Sequence, residues 1–244
     1  MTTETIATTK THTFRAEVIR NLVNSVSFAS DAESTRTALQ GMLFTFENNA
    51  MTAYASDGRR LASRTIEGDM GELSGEQMVL TRETMTALSN IGKTATQVVA
   101  TFDYATKQSD FSWNQRNGTK HVGNTGDLRF PDLDYIVRTE SDCQKMRHCR
   151  LDVDLTQRTT DDITDAVVVD SRGTLTRPSP TWSVSSSGTD IGEVAVNWGY
   201  LTEWLDSVSS WGSKQARFYM TAPDSPVYGF ADGARYVLMP VMIK

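Results

Sequence analysis

The chain contains 244 residues, of which 39% are hydrophobic and 22% are charged, and its net charge at pH 7 is −6. This length is enough for one or two domains with hydrophobic cores of their own. The sequence contains no run of about 18 apolar residues, so we expect no transmembrane helix. The acidic balance excludes a protein that is basic over its whole surface, although it permits positive charge confined to one side.

The N-terminal stretch MTTETIATTKTHT is polar and rich in threonine. It lacks the apolar core of a secretion signal, so we expect a cytoplasmic protein. Chain termini are commonly mobile unless they dock onto the fold. We therefore expect residues 1–11 to form a mobile tail.

The first half of the chain predicts two helices with a β-hairpin between them. Apolar residues at helical spacing predict an amphipathic helix over Arg15–Ala29. A strand at Met42–Phe46, a polar turn and a strand at Met51–Ala55 are typical of a hairpin. The second helix begins after Thr81, a suitable N-cap, and ends before Gly92.

The order of elements then repeats more faintly along the chain. Strands at Gln97–Tyr104 and Asp110–Trp113, followed by an Asn117-Gly118 turn, complete the first copy. The second copy consists of a strand at Arg150–Val153, a helix over Asp154–Asp170, a helix capped by Asn197, and strands at Ala216–Met220, Val227–Phe230 and Arg235–Val241. This repeat predicts two domains, with the boundary in the polar stretch Arg138–Arg147.

Three stretches of the chain are more particular than this pattern of elements. Leu39–Ala62 is LQGMLFTFENNAMTAYASDGRRLA, Leu128–Asp132 is LRFPD, and Tyr236–Lys244 is YVLMPVMIK. In content and in order they resemble the LNGMLF-type strand, the TDGHRLA-type turn, the GRFPD turn and the YVVMPMRL terminus of the bacterial DNA polymerase III beta subunit, the sliding-clamp family. The resemblance extends over residues 12–244.

The resemblance implies an α+β fold with two copies of the DNA-clamp fold, each with two helices on one side and antiparallel sheets on the other. It implies a clamp domain like the family's middle domain over residues 12–138, a linker over 139–147, and a clamp domain like the last one over 148–244. The family has three such domains per chain and closes a six-domain ring as a dimer. Because this chain has room for two, we expect a homotrimeric ring, and we expect a phage-encoded protein.

The function that the resemblance implies is that of a processivity factor, which encircles duplex DNA and tethers a replicative polymerase. Such a clamp needs no cofactor, catalyses no reaction, and is opened by a clamp-loader ATPase. The family takes short linear motifs of its partners in a pocket, and the matching positions in this chain are Leu39, Ser56, Gly58, Arg59, Arg60, Leu61, Pro131, Tyr135, Ile136, Tyr200, Val237, Met239, Pro240, Val241 and Met242. An apolar cleft containing methionine adapts to such motifs. For those of these residues that lie on strands, the alternative is that they belong to the hydrophobic core.

The chain departs from the family at Arg59, where histidine is usual, and at Tyr135, where a basic residue is common. The family also places basic helix residues on the inner wall of the ring, where they contact DNA. The residues expected there are Arg15, Arg20, Arg82, Lys93 and Arg158. Contacts to phosphate alone give attraction that is independent of base sequence and sensitive to salt. For each of these residues singly, an ordinary solvated charge is an equal alternative.

Signatures of catalysis are missing, since the sequence has no P-loop, no HExxH and no GxGxxG. Cys143 and Cys149 flank His148, which permits half a metal site or a redox pair. Two reduced thiols in a linker are favoured instead, because a structural zinc site needs four ligands. Two other functional classes stay open: a clamp-like interaction protein that binds polymerase or transcription factors without encircling DNA, and an enzyme on an unrelated α+β fold.

Overall fold

The computed structural model describes residues 9–47, 49–106, 108–124, 128–157, 166–169, 175–176 and 183–241. The chain divides into two compact units. Unit 1 consists of Met1–Asp57 and Arg64–Pro131, and unit 2 consists of Gly58–Ser63 and Asp132–Lys244. This division differs from the expected domains, because a short segment of the first half belongs to unit 2, which otherwise begins at Asp132.

The described part of unit 1 is built of strands with three α-helices among them. Its elements are β1 (Thr9–Arg15), α1 (Ala16–Val26), α2 (Thr37–Gln40), β2 (Met42–Glu47), β3 (Ala50–Ser56), β4 (Arg60–Glu67, whose first residues belong to unit 2), β5 (Gln77–Leu80), α3 (Arg82–Ser89), β6 (Gln97–Asp103), β7 (Gln108–Gln115) and β8 (Gly118–Asn124). One antiparallel sheet has the order β1-β6-β7-β8, and β4, β3, β2 and β5 are neighbours in that order.

The two longer helices of unit 1 form where the sequence predicts them. In α1 the residues Ile19, Leu22, Val23 and Val26 are buried, and the helix packs against α3. These positions lie on one helical face. At the start of α3 the Thr81 hydroxyl accepts a hydrogen bond from the Thr84 backbone N–H at 3.2 Å, so the predicted N-cap is confirmed.

Unit 2 has two helices in its described part. Its elements are α4 (Glu140–Lys145), β9 (Cys149–Asp154), β10 (Ala166–Val169), β11 (Leu175–Thr176), β12 (Ser183–Gly188), β13 (Val194–Asn197), α5 (Trp198–Ser210), β14 (Gln215–Met220), β15 (Val227–Ala231) and β16 (Ala234–Leu238). The neighbours β12-β9-β14-β15-β16 continue to Arg60–Ser63 of β4, and β11-β10-β13 form a separate sheet.

Helix α5 begins at Asn197, whose side-chain oxygen accepts from the Tyr200 N–H at 3.1 Å, as the sequence predicts. Its buried Trp204 stacks on Tyr236 of β16 with ring centroids 5.2 Å apart. The neighbouring strand β15 carries Gly229, which pairs with Tyr236. A Cβ added at Gly229 would lie 2.9 Å from Cη2 of Trp204. Glycine at this position therefore makes room for the tryptophan that joins the helix to the sheet.

Three sequence-based expectations need correction. The helix over Asp154–Asp170 is wrong: Asp154 ends β9, and Ala166–Val169 form β10, which pairs with β13. Three of the four residues in the run Ala-Val-Val-Val are β-branched, which favours a strand. Residues 9–11 are not part of a tail, because they pair with Thr101–Asp103. The expected linker 139–147 contains α4, which starts with a capping box between Thr139 and Asp142.

The strands that the sequence does predict agree with the structure to within three residues at their ends, and the α+β class with antiparallel sheets is confirmed. The sequence does not predict β1, β4, β5, β8, β11, β12 or β13. Among the described residues, no helix is both long enough and apolar enough to span a membrane.

Candidate peptide-binding site

The segment after β16 is held by backbone hydrogen bonds inside unit 2. The Met239 N–H donates to the Arg59 carbonyl at 2.9 Å, and the Val241 N–H donates to the Ala195 carbonyl at 2.9 Å. These two bonds fix the backbone on both sides of Pro240. The C-terminal segment is therefore docked between the turn before β4 and strand β13 up to Val241.

Although their backbones are fixed, the side chains of this segment face solvent. Met239 is 44% exposed and Val241 is 37% exposed. In the part of the chain that the structure describes, the other exposed large hydrophobic side chains are Tyr135 at 84% and Ile136 at 38%. All four belong to unit 2, and all four are positions that the sequence assigns to the peptide pocket. A patch of exposed large apolar side chains is typical of an interaction surface.

The segment that carries Tyr135 and Ile136 is also tied to the strands of unit 2. It forms a turn in which the Val137 N–H donates to the Leu133 carbonyl at 2.9 Å. The next residue, Arg138, donates from Nε to the Tyr228 hydroxyl at 3.1 Å. Tyr228 pairs in register with Val237, which lies two residues before Met239. Both exposed segments therefore lead to the same pair of strands, β15 and β16.

A buried cation lies beside the C-terminal segment. Arg60 is 8% exposed, its guanidinium lies 4.0 Å from the centroid of the Tyr200 ring, and it forms an ion pair with Glu203. The Tyr200 carbonyl in turn accepts from the Tyr236 hydroxyl at 2.7 Å. The charge of Arg60 is thus neutralised by Glu203, and the cation–π contact fixes the orientation of Tyr200.

The other predicted pocket positions divide into three groups. In unit 2, Gly58 adopts φ +86°, which favours glycine, whereas Leu61 and Val237 are buried and belong to the core. In unit 1, Leu39 and Ser56 are buried and Pro131 is half-buried. The last predicted position, Met242, lies outside the described residues.

Two participants in the site are missing from the sequence-based prediction. Glu203 pairs with Arg60, and Ala195 supplies the carbonyl that fixes Val241. Glu203 follows Tyr200 by three residues and therefore shares its helical face, which is a signal that the sequence contains. The role of Ala195 depends on its backbone carbonyl, and the type of side chain does not predict such a contact.

Three of the five residues expected to face DNA are already engaged within unit 1. Arg20 donates from Nη1 to the Ile91 carbonyl at 3.2 Å, and Arg82 donates from Nη1 to the Ala32 carbonyl at 3.1 Å. Arg15 lies 3.6 Å from the Glu17 carboxylate. Lys93 is exposed, and Arg158 lies outside the described residues.

The two cysteines are buried and form no disulfide, and they do not lie in an open linker. Cys143 lies in α4 and Cys149 begins β9. Burial raises the pKa of the Cys143 thiol to about 11. No cluster of three or more His, Cys, Asp or Glu side chains suited to a metal ion occurs within the described ranges.

Comparisons with known proteins agree with the motifs. Residues 13–126 match the family model of the DNA polymerase III beta subunit, central domain. A search of curated proteins found no match. The sliding clamp of Pseudomonas aeruginosa is similar with a TM-score of 0.75 and 18% identity over 96% of this chain and 66% of that chain.

Two further solved structures show the same similarity. A putative DNA polymerase III beta subunit from Eubacterium rectale has a TM-score of 0.75 and 14% identity, covering 100% of this chain and 68% of that chain. The beta subunit of Thermotoga maritima has a TM-score of 0.73 and 16% identity, covering 96% and 66%. The chain thus spans about two thirds of the length of these structures. It has the sliding-clamp fold, and its residues 13–126 correspond to the central domain of the DNA polymerase III beta subunit.

Proposed function

We propose that this protein is a DNA sliding clamp, which encircles duplex DNA and tethers a polymerase through the exposed apolar residues of unit 2. The observation that carries the proposal is the position of the four large hydrophobic side chains that are exposed among the described residues. They are Tyr135, Ile136, Met239 and Val241, and each is a position that the clamp motifs assign to partner binding. The proposed protein acts by binding and topology, in the cytoplasm, without a reaction or cofactor of its own.

The chemistry of these residues suits a short, extended peptide with apolar anchors. Methionine is flexible and polarisable, so Met239 adapts to leucine or phenylalanine side chains. The fixed backbone at Met239 and Val241 reduces the conformational entropy that binding would otherwise cost. A single motif should bind with a Kd of about 1 μM, or about −8 kcal/mol. Weak contacts of this kind suffice for a tether, because confinement on DNA raises the effective concentration of the polymerase.

The proposed ring is a homotrimer of the 244-residue chain. Two clamp units per chain and three chains give the six units that close a ring. The strands β8 and β12 each have one neighbour among the described strands, so their outer backbone groups are available for pairing with another chain. A head-to-tail contact with threefold symmetry closes such a ring. A clamp-loader ATPase would open it, by analogy with the fold.

The proposed contact with DNA is to phosphates only and is independent of base sequence. Arg15, Arg20, Arg82 and Lys93 lie on or next to the two longer helices of unit 1, and Arg158 is the proposed contribution of unit 2. Phosphate contacts let a clamp slide, whereas contacts to base edges would stop it at particular sites.

Peptide binding tests this function directly. A fluorescently labelled polymerase-type motif peptide is titrated with the intact chain, and its anisotropy is measured. Met239→Ala and Ile136→Ala should each weaken binding about fivefold or more, because each removes part of the apolar contact. The matched control is Met146→Ala, a half-buried methionine of unit 2 outside the predicted pocket. Equal affinities for all three variants and the parent chain would refute the assignment of the pocket.

A second candidate function is a clamp-like interaction protein that binds polymerase or transcription factors without encircling DNA. It is favoured by the engagement of Arg20 and Arg82 with backbone carbonyls of unit 1 and by the net charge of −6. The two candidates share the peptide site and differ in oligomeric state, because a single chain with two units cannot close a six-unit ring.

A further inference from the structure

The Tyr135 turn, which we define as Asp132–Val137, holds a large aromatic side chain out into solvent. The Asp132 carboxylate accepts a hydrogen bond from the Asp134 N–H at 3.0 Å, which orders the start of the turn. Tyr135 is 84% exposed, and no hydrogen bond or ring contact joins it to another described residue. The turn therefore presents both the face of the tyrosine ring and its hydroxyl to a partner.

The side chains next to this ring are acidic. Asp132 and Asp134 are both exposed, and neither carboxylate forms an ion pair within the described part of the chain. The next basic residue along the chain, Arg138, donates to the Tyr228 hydroxyl at 3.1 Å, and its guanidinium lies 5.8 Å from the centroid of that ring. Arg138 is thus directed toward β15, and the two carboxylates are left for a cation from outside.

The other exposed segment of the peptide site has a different charge. The Met239 N–H donates to the carbonyl of Arg59, whose own side chain is exposed. The neighbouring Arg60 is buried and paired with Glu203. Charge near the C-terminal segment is therefore basic or already balanced, whereas the Tyr135 turn is acidic. A peptide that contacts both segments meets a cation-attracting surface at the Tyr135 turn only.

We propose that the partner peptide carries a lysine or arginine beside its apolar anchors, and that this side chain lies across the Tyr135 ring toward Asp132 and Asp134. This inference rests on the proposed function and adds the charge of the partner to it. It concerns this chain in particular, because Tyr135 is one of the positions at which the chain departs from the clamp family.

Three physical effects favour a basic side chain at this position. A cation over the face of a tyrosine ring is attracted by the ring quadrupole. The aliphatic stem of lysine or arginine covers apolar surface while its charged end stays in water. Carboxylates at the edge of a binding site attract a basic peptide and repel an acidic one. The apolar anchors supply affinity, and the charge selects among peptides that have the same anchors.

Peptides that differ in one residue test this selection. A labelled motif peptide with leucine and phenylalanine anchors is made with lysine, alanine or glutamate directly before the anchors, and a second series has these residues directly after them. Anisotropy titrations with the intact chain should rank lysine above alanine and alanine above glutamate in one series, with about fivefold or more between lysine and glutamate. The difference should shrink as the salt concentration rises.

Variants of the chain locate the selection. Asp134→Asn should lower the ratio of lysine-peptide to alanine-peptide affinity. The matched control is Asp232→Asn, which removes one exposed carboxylate in the turn after β15, at the opposite end of that strand from Tyr228, and should keep the ratio. Tyr135→Leu should lower the ratio and Tyr135→Phe should largely keep it, because the attraction depends on an aromatic face.

The outcomes separate this inference from the proposed function. A lysine preference that Asp134→Asn lowers and Asp232→Asn keeps supports the inference. Equal affinities of the three peptides in both series overturn it and leave the peptide site in place. A preference for glutamate, or a lysine preference that neither Asp134→Asn nor Tyr135→Leu alters, also overturns it. Absence of binding by all six peptides overturns the peptide site and this inference together.

Discussion

The sequence predicts two partner surfaces, and the described residues of these surfaces differ in how far their side chains are already engaged. In unit 2, Met239 and Val241 have fixed backbones and exposed apolar side chains. In unit 1, Arg20 and Arg82 donate hydrogen bonds to backbone carbonyls of their own unit. An exposed apolar side chain on a fixed backbone has no evident role within the unit, whereas a bonded arginine already has one. The peptide site is therefore better supported than the DNA-facing set.

Removal of the residues after Leu238 should have the largest effect on the unit 2 surface. The truncated chain should lose measurable peptide binding, because both exposed side chains of the docked segment disappear. Its circular dichroism spectrum should stay close to that of the parent chain, since α5 and β16 keep their contacts.

The matched variant for this truncation is Met239→Ser combined with Val241→Ser. It keeps the backbone N–H groups that bond to Arg59 and Ala195 and removes only the apolar surface. We expect it to weaken peptide binding about tenfold or more. Parent-like affinity in both variants would show that the C-terminal segment takes no part in binding.

Reversal of charge at Arg20, Arg82 and Lys93 together should lower the salt dependence of DNA binding. Each lost phosphate contact lowers the slope of log K against log salt concentration by roughly one unit. Arg20→Glu also removes the bond to Ile91, so thermal unfolding is measured alongside. An unchanged slope in a folded triple variant would show that these three residues do not contact DNA.

Glu203→Gln should destabilise unit 2 by about 1 kcal/mol, because it replaces the Glu203 carboxylate that pairs with the buried guanidinium of Arg60 by a neutral amide. Denaturant unfolding measures the change. The control is Asp224→Asn in the exposed loop between β14 and β15, which should change stability little. A loss no larger than that of the control would show that the Arg60–Glu203 pair contributes nothing to the site.

The last expected effect appears only at alkaline pH and concerns Cys143, which lies in α4 close in sequence to the exposed Tyr135–Ile136 segment. Burial raises its pKa to about 11, above the ordinary value of 9.0. As pH rises from 9 toward 11, the unfolded thiol loses its proton before the folded one, so the unfolded state is favoured. The free energy of unfolding of the parent chain should therefore fall in this window. That of the Cys143→Ala variant should fall less. Equal alkaline loss in both chains would contradict a buried thiol.

The sequence predicts best what depends on local patterns. The apolar stripe of α1, the Thr81 cap of α3 and the Asn197 cap of α5 all lie within one or two helical turns, and their elements form as predicted. The run Ala166–Val169 is different, because four apolar residues fit a helix or a strand. Pairing with β13 selects the strand. Because β13 lies far along the chain, a local pattern does not reveal this pairing.

In the candidate site, too, some residues can be identified from the sequence and others only from the structure. Motif similarity identifies Met239 and Val241, and the structure shows that they are exposed. It also assigns Leu61 and Val237 to the pocket, although both are buried. Strand residues alternate between two faces, and a motif alone does not tell which face is covered. Contacts through backbone atoms, such as that of Ala195 with Val241, need the assembled fold.

The mass of the chain in solution tests the proposed clamp most directly. Light scattering at tens of micromolar, about the concentration at which a modest interface stays associated, should give three times 27.0 kDa. Electron microscopy of the same sample should show closed rings. A strict monomer across this range, with no rings, would contradict a clamp that encircles DNA and would leave the non-encircling interaction protein as the function.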